Sequence, residues 1–381
     1  MITKYKSYLD RIDVKGPKRL LALDGGGIRG LITVEILLRL EELLRRAYDD
    51  EALVLADFFD YVGGTSTGAI IATCIARGMT MERVRQFYIE GGRIMLKPAP
   101  ILRRWHYRHL DSGLSAALKR ELGEQTTFGD PGLQTLLLLV MRNATTDSPW
   151  PLSNNPKALF NAVSEKEGNN LLLPLWQLIR ASTAAPTYFP PQMVSVGERN
   201  FVFVDGAVSV YNNPSFLLYM MATLPAYRLC WEQGEEQLLL VSVGTGMSAY
   251  AASSLRPAQM TLLYNAERVP SALIYAANVE ADKLCRVSGA CRFGGPIDSE
   301  LGDLIDRSGS DGKKKFTYLR YDPSLTREGL DALGLTDIQP EEVLPLTSGR
   351  YLDKLQEVGR AYAKGLDLSQ LGAFDPSLVT T

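Results

Sequence analysis

From Lys18 onward the chain alternates two hydrophobic patterns. Some stretches are apolar almost throughout; others carry apolar residues at every third or fourth position. The segment KRLLALDGGGIRGLITVEILLRLEELLRRA shows both. An apolar run leads to a glycine cluster, and then Leu31, Val34, Leu37, Leu38 and Leu44 share one helical face. Glu41 and Glu42 stand four positions before Arg45 and Arg46, adding i,i+4 pairs on another face. The pattern predicts strand, glycine turn and helix. ADFFDYVGGTSTGAIIATCIARG repeats that order, with Gly78 as the helix stop. Further buried strands are predicted over Leu133–Met141, Asn200–Val208 and Glu236–Gly246. Trp176–Pro191 reads as a helix followed by a proline-broken loop. Apolar strands separated by helices imply an α/β fold, its mostly parallel sheet covered on both faces.

Beyond Gly246 the pattern is more mixed. Helical stretches SALIYAANVEADKLCRV and GRYLDKLQEVGRAYAKGLD flank a strand-like KKFTYLRYD. We therefore expect a polar lead over 1–17, one α/β core over 18–246, and a C-terminal extension over 247–381 packed on that core. A length of 381 residues and a hydrophobic share of 46% suit a core of that size. The net charge of −2 gives no global attraction for a nucleic-acid polymer or an anionic surface, so such binding needs a local patch. Leu102–His109 and Gly312–Phe316 mix cations with aromatics and are the candidates, although a solvated face is the plainer reading of both. The four cysteines show no C-x-x-C spacing, and neither His106 nor His109 has a cysteine nearby. That argues against a zinc site and for a reducing, cytoplasmic compartment. Met1–Gly16 lacks the apolar core of a secretory leader. The longest apolar runs fall far short of the roughly 18–20 residues that span a bilayer.

Three glycine-marked turns carry the candidate chemistry. Asp24–Gly30 (DGGGIRG) satisfies G-x-G-x-x-G between a strand and a helix, as a dinucleotide-binding turn would. That reading needs an acidic residue about 20 positions on, at the end of a second strand. Asp49, Asp50 and Glu51 stand near that distance but end a helical stretch. The alternatives are a turn that aims backbone N–H groups at a developing negative charge, or a plain packing turn. Gly64–Gly68 (GTSTG) places Ser66 at a strand-to-helix junction, which suits either a nucleophile or a helix N-cap. Asp205 ends the apolar run FVFV and is followed by Gly206. It is either a general base whose pKa burial would raise, or the start of an Asp-Gly turn. A serine nucleophile needs a base, and the Ser-acid-His order of α/β-hydrolases is not met here. Both histidines come soon after Ser66, and they read as part of a surface segment with Arg103, Arg104 and Arg108.

Together the three turns resemble the patatin-like phospholipases. The family's D-G-G-G-x-R-G, G-x-S-x-G and D-G-A/G motifs stand here in that order, at Asp24–Gly30, Gly64–Gly68 and Asp205–Ala207, without departure. ASTAAPTYFPP and LLLVSVGTG also look like family stretches, and the resemblance runs from about Lys18 to Gly246. It implies a three-layer α/β/α sandwich and a lipid acyl hydrolase in which Ser66 and Asp205 form a dyad. That dyad suits a chain with two histidines. The resemblance further implies an oxyanion hole from the N–H groups of Gly25, Gly26 and Gly27. Gly64 and Gly68 would shape the nucleophile turn, with Arg29, Gly30 and Gly206 in support. No metal or organic cofactor is implied. The implied substrate is membrane phospholipid, met by peripheral association from the cytoplasm. Some bacterial members of similar size serve antiviral defence and are activated by cyclic oligonucleotides. A cyclic-nucleotide activator and a homo-oligomer therefore join the expectations. The rivals are acyl transfer to an acceptor other than water, and a sensor or assembly protein whose lipase stays dormant until a ligand binds.

Overall fold

The computed structural model describes residues 2–95, 112–247, 256–305, 312–346 and 349–379. His106, His109 and the Leu102–His109 patch lie outside the described residues. Nine strands among the described residues form one sheet: β1 (Lys18–Leu23), β2 (Tyr61–Thr65), β3 (Leu136–Asn143), β4 (Ser148–Ser153), β5 (Gln192–Val196), β6 (Arg199–Asp205), β7 (Leu238–Val243), β8 (Ala290–Phe293) and β9 (Thr317–Tyr321). Their order is β5-β6-β3-β2-β1-β7-β9-β8, with β4 also paired to β3. From β3 to β8 every pairing is parallel. These central strands are buried on both sides, which is why their sequences are apolar without alternation.

The margin beyond β3 differs from the expected parallel pattern. β4 and β6 run antiparallel to β3, and β5 runs antiparallel to β6. β6 buries Phe201 and Phe203 while its intervening residues face outward, the alternation of a strand with one solvated face. It stops at Asp205, and Gly206–Val208 forms a short 3-10 turn where the strand was expected to continue. Because β6 overlaps β3 by only three residue pairs, Asp205 comes to rest opposite Met141. That is the level at which β2 reaches Thr65 opposite Val140. An antiparallel strand thus delivers its last residue to the carboxyl ends of the parallel ones.

Successive residues of a strand face opposite sides, and β2 shows what lies on each. A Cβ on Gly63 would touch Leu218 of the helix Ser215–Thr223, and one on Gly64 would strike the Gly68 carbonyl of the helix Thr67–Ala76. Helices therefore cover both faces, giving three layers. The C-terminal portion joins in directly: β9 pairs with β7, and β8 with β9. Helix Leu352–Ala363 packs on helix Gly30–Tyr48, where buried Glu35 accepts from Gln356 at 2.7 Å and Arg360 at 3.1 Å. Among the described residues no helix is long and apolar enough to cross a membrane.

Candidate active site

β2 ends at Thr65 and a helix begins at Thr67, so Ser66 alone takes up the reversal, at φ 54° and ψ −119°. Such a backbone costs a residue with a Cβ about 1–3 kcal/mol and persists only where its surroundings hold it. Gly64 and Gly68 let the arms close, since a Cβ on Gly68 would collide with the Leu23 carbonyl of β1. Ser66 occupies the N-cap position, yet its side chain makes no capping bond. Its Oγ instead donates to Asp205 Oδ2 at 2.7 Å. The Ser66 N–H donates to Ser182 Oγ at 2.9 Å, and that hydroxyl donates on to the Val140 carbonyl at 2.5 Å. A buried serine from the ASTAAPTYFPP stretch thus ties the elbow to β3.

Asp205 meets both of its sequence readings, one with each oxygen. Oδ1 accepts the Ala207 N–H at 2.8 Å, closing an Asp-Gly turn, while Oδ2 takes the Ser66 hydroxyl. Burial pushes its carboxyl up to about 6; the Ser66 hydroxyl, the Ala207 N–H and the Arg180 charge pull the other way and do not cancel the rise. Gly206 follows so closely on Val140 that a side chain there would run into the carbonyl.

The glycine turn lies beside the elbow. The Gly25 N–H is already engaged, donating to the Asn212 carbonyl at 3.1 Å. Gly25 is also closely packed: an added Cβ would meet the Asn212 side chain and, at 3.3 Å, Ser66 Cβ. Among the described residues the Gly26 and Gly27 N–H groups have no backbone acceptor, and Gly27 holds a φ of 59°. The next donor, Ile28 N–H, is fixed to the Leu346 carbonyl at 2.9 Å. Gly30 lets the helix start approach the Thr67 hydroxyl. Arg29 borders the cavity; burial brings its guanidinium down to about 10, opposed by Asp322 and Asp24.

Behind this turn sits a buried ionic cluster that local sequence reading missed. Arg320 on β9 holds both oxygens of Asp24, at 2.9 and 2.6 Å, and also donates to Asp322 and to Ser242 Oγ, each at 2.7 Å. Burial pushes the Asp24 carboxyl up against the pull of Arg320. Burial also works against the Arg320 charge, but Asp24 and Asp322 hold it well above its usual range. An arginine inside the apolar strand of KKFTYLRYD was the available signal, because a buried guanidinium requires carboxylates.

Gly25, Gly26, Gly27, Arg29, Ser66 and Asp205 border one cavity of about 800 Å³. Ile28, Ile70, Tyr88, Leu114, Val208 and Ile274 make much of its wall apolar. Pockets of that volume and lining take small organic ligands. Fold and site define a class: an α/β protein whose serine stands on a strained strand-to-helix elbow with a carboxylate as its partner.

Within that class, the family model for Patatin-like phospholipase matches residues 21–219, more than half of the chain, and the chain belongs to that family. Patatin-17 of Solanum cardiophyllum is 29% identical over 247 residues, 60% of this chain and 61% of that one. A cGAMP-activated phospholipase of Escherichia coli (strain TW11681) is 26% identical over 245 residues, 62% of this chain and 64% of its own. The chain therefore spans under two thirds of the length of these curated relatives. The solved human GIVD cytosolic phospholipase A2 aligns over 98% of this chain and 63% of its own, at 13% identity and a TM-score of 0.44.

Proposed function

We propose that this chain is a lipid acyl hydrolase that cleaves ester bonds of membrane phospholipids. The observation that carries the reading is the 2.7 Å hydrogen bond from Ser66 Oγ to Asp205 Oδ2 on an apolar cavity. Membership of the family supports it. Ser66 Oγ attacks the ester carbonyl as the Asp205 carboxylate takes its proton. The Gly26 and Gly27 N–H groups hold the oxyanion of the tetrahedral intermediate. Collapse breaks the ester bond, and the departing alcohol takes the proton from Asp205. Water then attacks the acyl-enzyme, giving its proton to Asp205. A second collapse releases the fatty acid and returns a proton to Ser66.

Fatty-acid release from mixed phospholipid vesicles tests this. Wild type releases fatty acid and is labelled at Ser66 by a fluorophosphonate; Ser66→Ala does neither while remaining folded. Near-normal turnover by Ser66→Ala would sink the assignment. Adding alcohol acceptors to the same assay separates hydrolysis from acyl transfer by the product formed.

A second reading concerns control. Similarity to the E. coli relative named a cGAMP-activated phospholipase favours a resting enzyme switched on by a cyclic nucleotide, and the antiviral-defence role expected from the motif resemblance would go with that control. Fatty-acid release with and without a panel of cyclic nucleotides decides it, and particle mass in the same samples reports any homo-oligomer. A full rate without nucleotide, unchanged by every member of the panel, rules this control out.

A further inference from the structure

The long helix Leu262–Ser288 has an unusual outer side. Val269, Leu273, Ala276, Glu280, Leu284 and Val287 recur at steps of three and four, and all six are exposed. A helix on a wetted surface carries polar residues on that side. Here five of the six are apolar, and the one acid, Glu280, is paired with Lys283. Leu273 is 65% exposed and Val287 58%, so these side chains are not tucked against the core. At the helical rise the row from Val269 to Val287 is roughly 27 Å long. An apolar row of that length, broken only by the paired Glu280, marks an interaction surface, unlike singly scattered surface residues.

Two observations say what covers it. The first is charge. Lys314 Nζ donates to the Val287 carbonyl at 3.1 Å, and the Lys315 N–H donates to the Ser288 carbonyl at 3.0 Å. The lysine run is thereby fixed at the end of the apolar row, with Lys313 and Lys315 exposed. An apolar row edged by lysines complements an anionic lipid surface: acyl chains receive the apolar groups and phosphates the ammonium groups. The second is continuity with the site. The inner side of this helix borders the catalytic cavity through Pro270, Ser271, Ile274 and Asn278. The apolar row is therefore separated from the cavity by the thickness of one helix.

We propose that the outer face of Leu262–Ser288, together with Lys313, Lys314 and Lys315, is the surface on which the protein docks to an anionic phospholipid bilayer. This rests on the reading of the cavity as a phospholipase site and names the surface that brings the site to its substrate. The helix lies in the headgroup plane with its apolar row toward the acyl chains, and the lysines engage lipid phosphates.

Co-sedimentation of the full chain with vesicles tests the proposal, using phosphatidylcholine alone and phosphatidylcholine mixed with phosphatidylglycerol. Wild type is expected to bind the mixed vesicles at least about tenfold more tightly, since each surface lysine contributes roughly fivefold. Leu273→Glu/Val287→Glu and Lys313→Glu/Lys315→Glu should each weaken that binding about tenfold or more. Both should hydrolyse a soluble short-chain ester within about twofold of wild type, because none of the four residues borders the cavity. Wild-type failure to bind either vesicle overturns the proposal, as does equal binding by wild type and both variants. So does a variant that changes only its particle mass, which would assign the face to a second copy of the chain. The chemistry is read independently. Ser66→Ala should bind vesicles as wild type does, and loss of ester turnover in wild type would remove the phospholipase reading without touching the binding result.

Discussion

Asp24 and Asp205 occupy similar corners of the molecule. Each follows or ends an apolar strand, precedes a glycine, lies almost wholly out of water, and has its carboxyl pushed up by burial. What surrounds them differs. Asp24 spends both oxygens on the Arg320 guanidinium, which Asp322 and Ser242 hold in turn. Asp205 meets two neutral donors, the Ser66 hydroxyl and the Ala207 N–H, and the Arg180 charge acts on it as well. A carboxylate locked in a two-bond ion pair has no partner whose proton it can usefully take. One facing a hydroxyl, with its pKa raised toward neutrality, is suited to take that proton. Neighbours, more than burial, separate a supporting carboxylate from a reactive one.

The sharpest way to break this comparison is to make the same change at both corners. Asp205→Asn keeps the size but cannot accept the serine proton. Its kcat on a soluble ester should fall roughly 10²- to 10⁴-fold with little change in KM. Asp24→Asn, measured on the folded fraction, should lose much less. Equal kcat losses at the two positions would mean that no catalytic distinction exists between them.

Stability should rank the corners the other way. Removing one partner of a buried ion pair leaves an uncompensated charge and costs about 3–5 kcal/mol. Arg320→Met takes the paired guanidinium from both Asp24 and Asp322, leaving Asp322 the Gly246 N–H and the Arg29 charge, whereas Asp24→Asn leaves Arg320 paired with Asp322. Denaturant midpoints should therefore fall furthest for Arg320→Met and less for Asp24→Asn. Midpoints unchanged in both variants would show that the cluster contributes nothing to the fold.

The three glycine-marked turns are legible because each is local: glycines beside polar residues within seven positions mark a sharp turn at a strand end. Ser66 and Asp205 stand out as candidates from their own neighbours, with the N-cap and Asp-Gly turn readings open until the three motifs are taken together, and the central parallel strands stand out from unbroken apolar runs. Arg320 could not be assigned its partner, because it meets Asp24 across 296 positions through the order β1-β7-β9, which no local pattern encodes. Ser182 was hidden for the same reason: its hydroxyl reads as an ordinary helix-end serine until β3 and the elbow are brought around it. NFVFVD encodes neither the direction of β6 nor its alternating burial, because exposed Val202 is as apolar as buried Phe201 and Phe203. The engaged N–H of Gly25 depends on Asn212, which a motif centred on glycines does not include.

The pH dependence of stability sharpens the comparison through its sign. Asp205 has a folded pKa of about 6 against a usual value of 3.8. The folded state holds this proton more tightly, so the group favours folding below 3.8 and loses that contribution as pH rises through 6. By the size of the shift the loss is about 3 kcal/mol once the pH is well above 6. Asp205→Asn escapes it. The variant should be more stable than wild type at pH 8, by up to that amount, and the gain should shrink toward zero as the pH approaches 3.8. A variant that is no more stable at pH 8 would mean that the Asp205 carboxylate is not strained by its burial.

The smallest effect is expected from the histidines. A triad imidazole would have to receive the Ser66 hydroxyl, and Asp205 Oδ2 already does so at 2.7 Å. Replacing His106 and His109 together by alanine should leave kcat on a soluble short-chain ester within about threefold of wild type, far from the 10³-fold or greater loss that follows removal of a triad histidine. The soluble ester matters because both residues stand among Arg103, Arg104 and Arg108, where a change could weaken contact with a lipid surface and mimic a catalytic defect. The pH profile adds a second reading. With Asp205 as the base, kcat/KM falls on the acid side near 6 in wild type and in the double variant alike, because activity needs the carboxylate of the free enzyme ionised. A large loss of kcat on the soluble ester, with the acid limb moved or gone, would make an imidazole the base and return Asp205 to the supporting role that Asp24 holds.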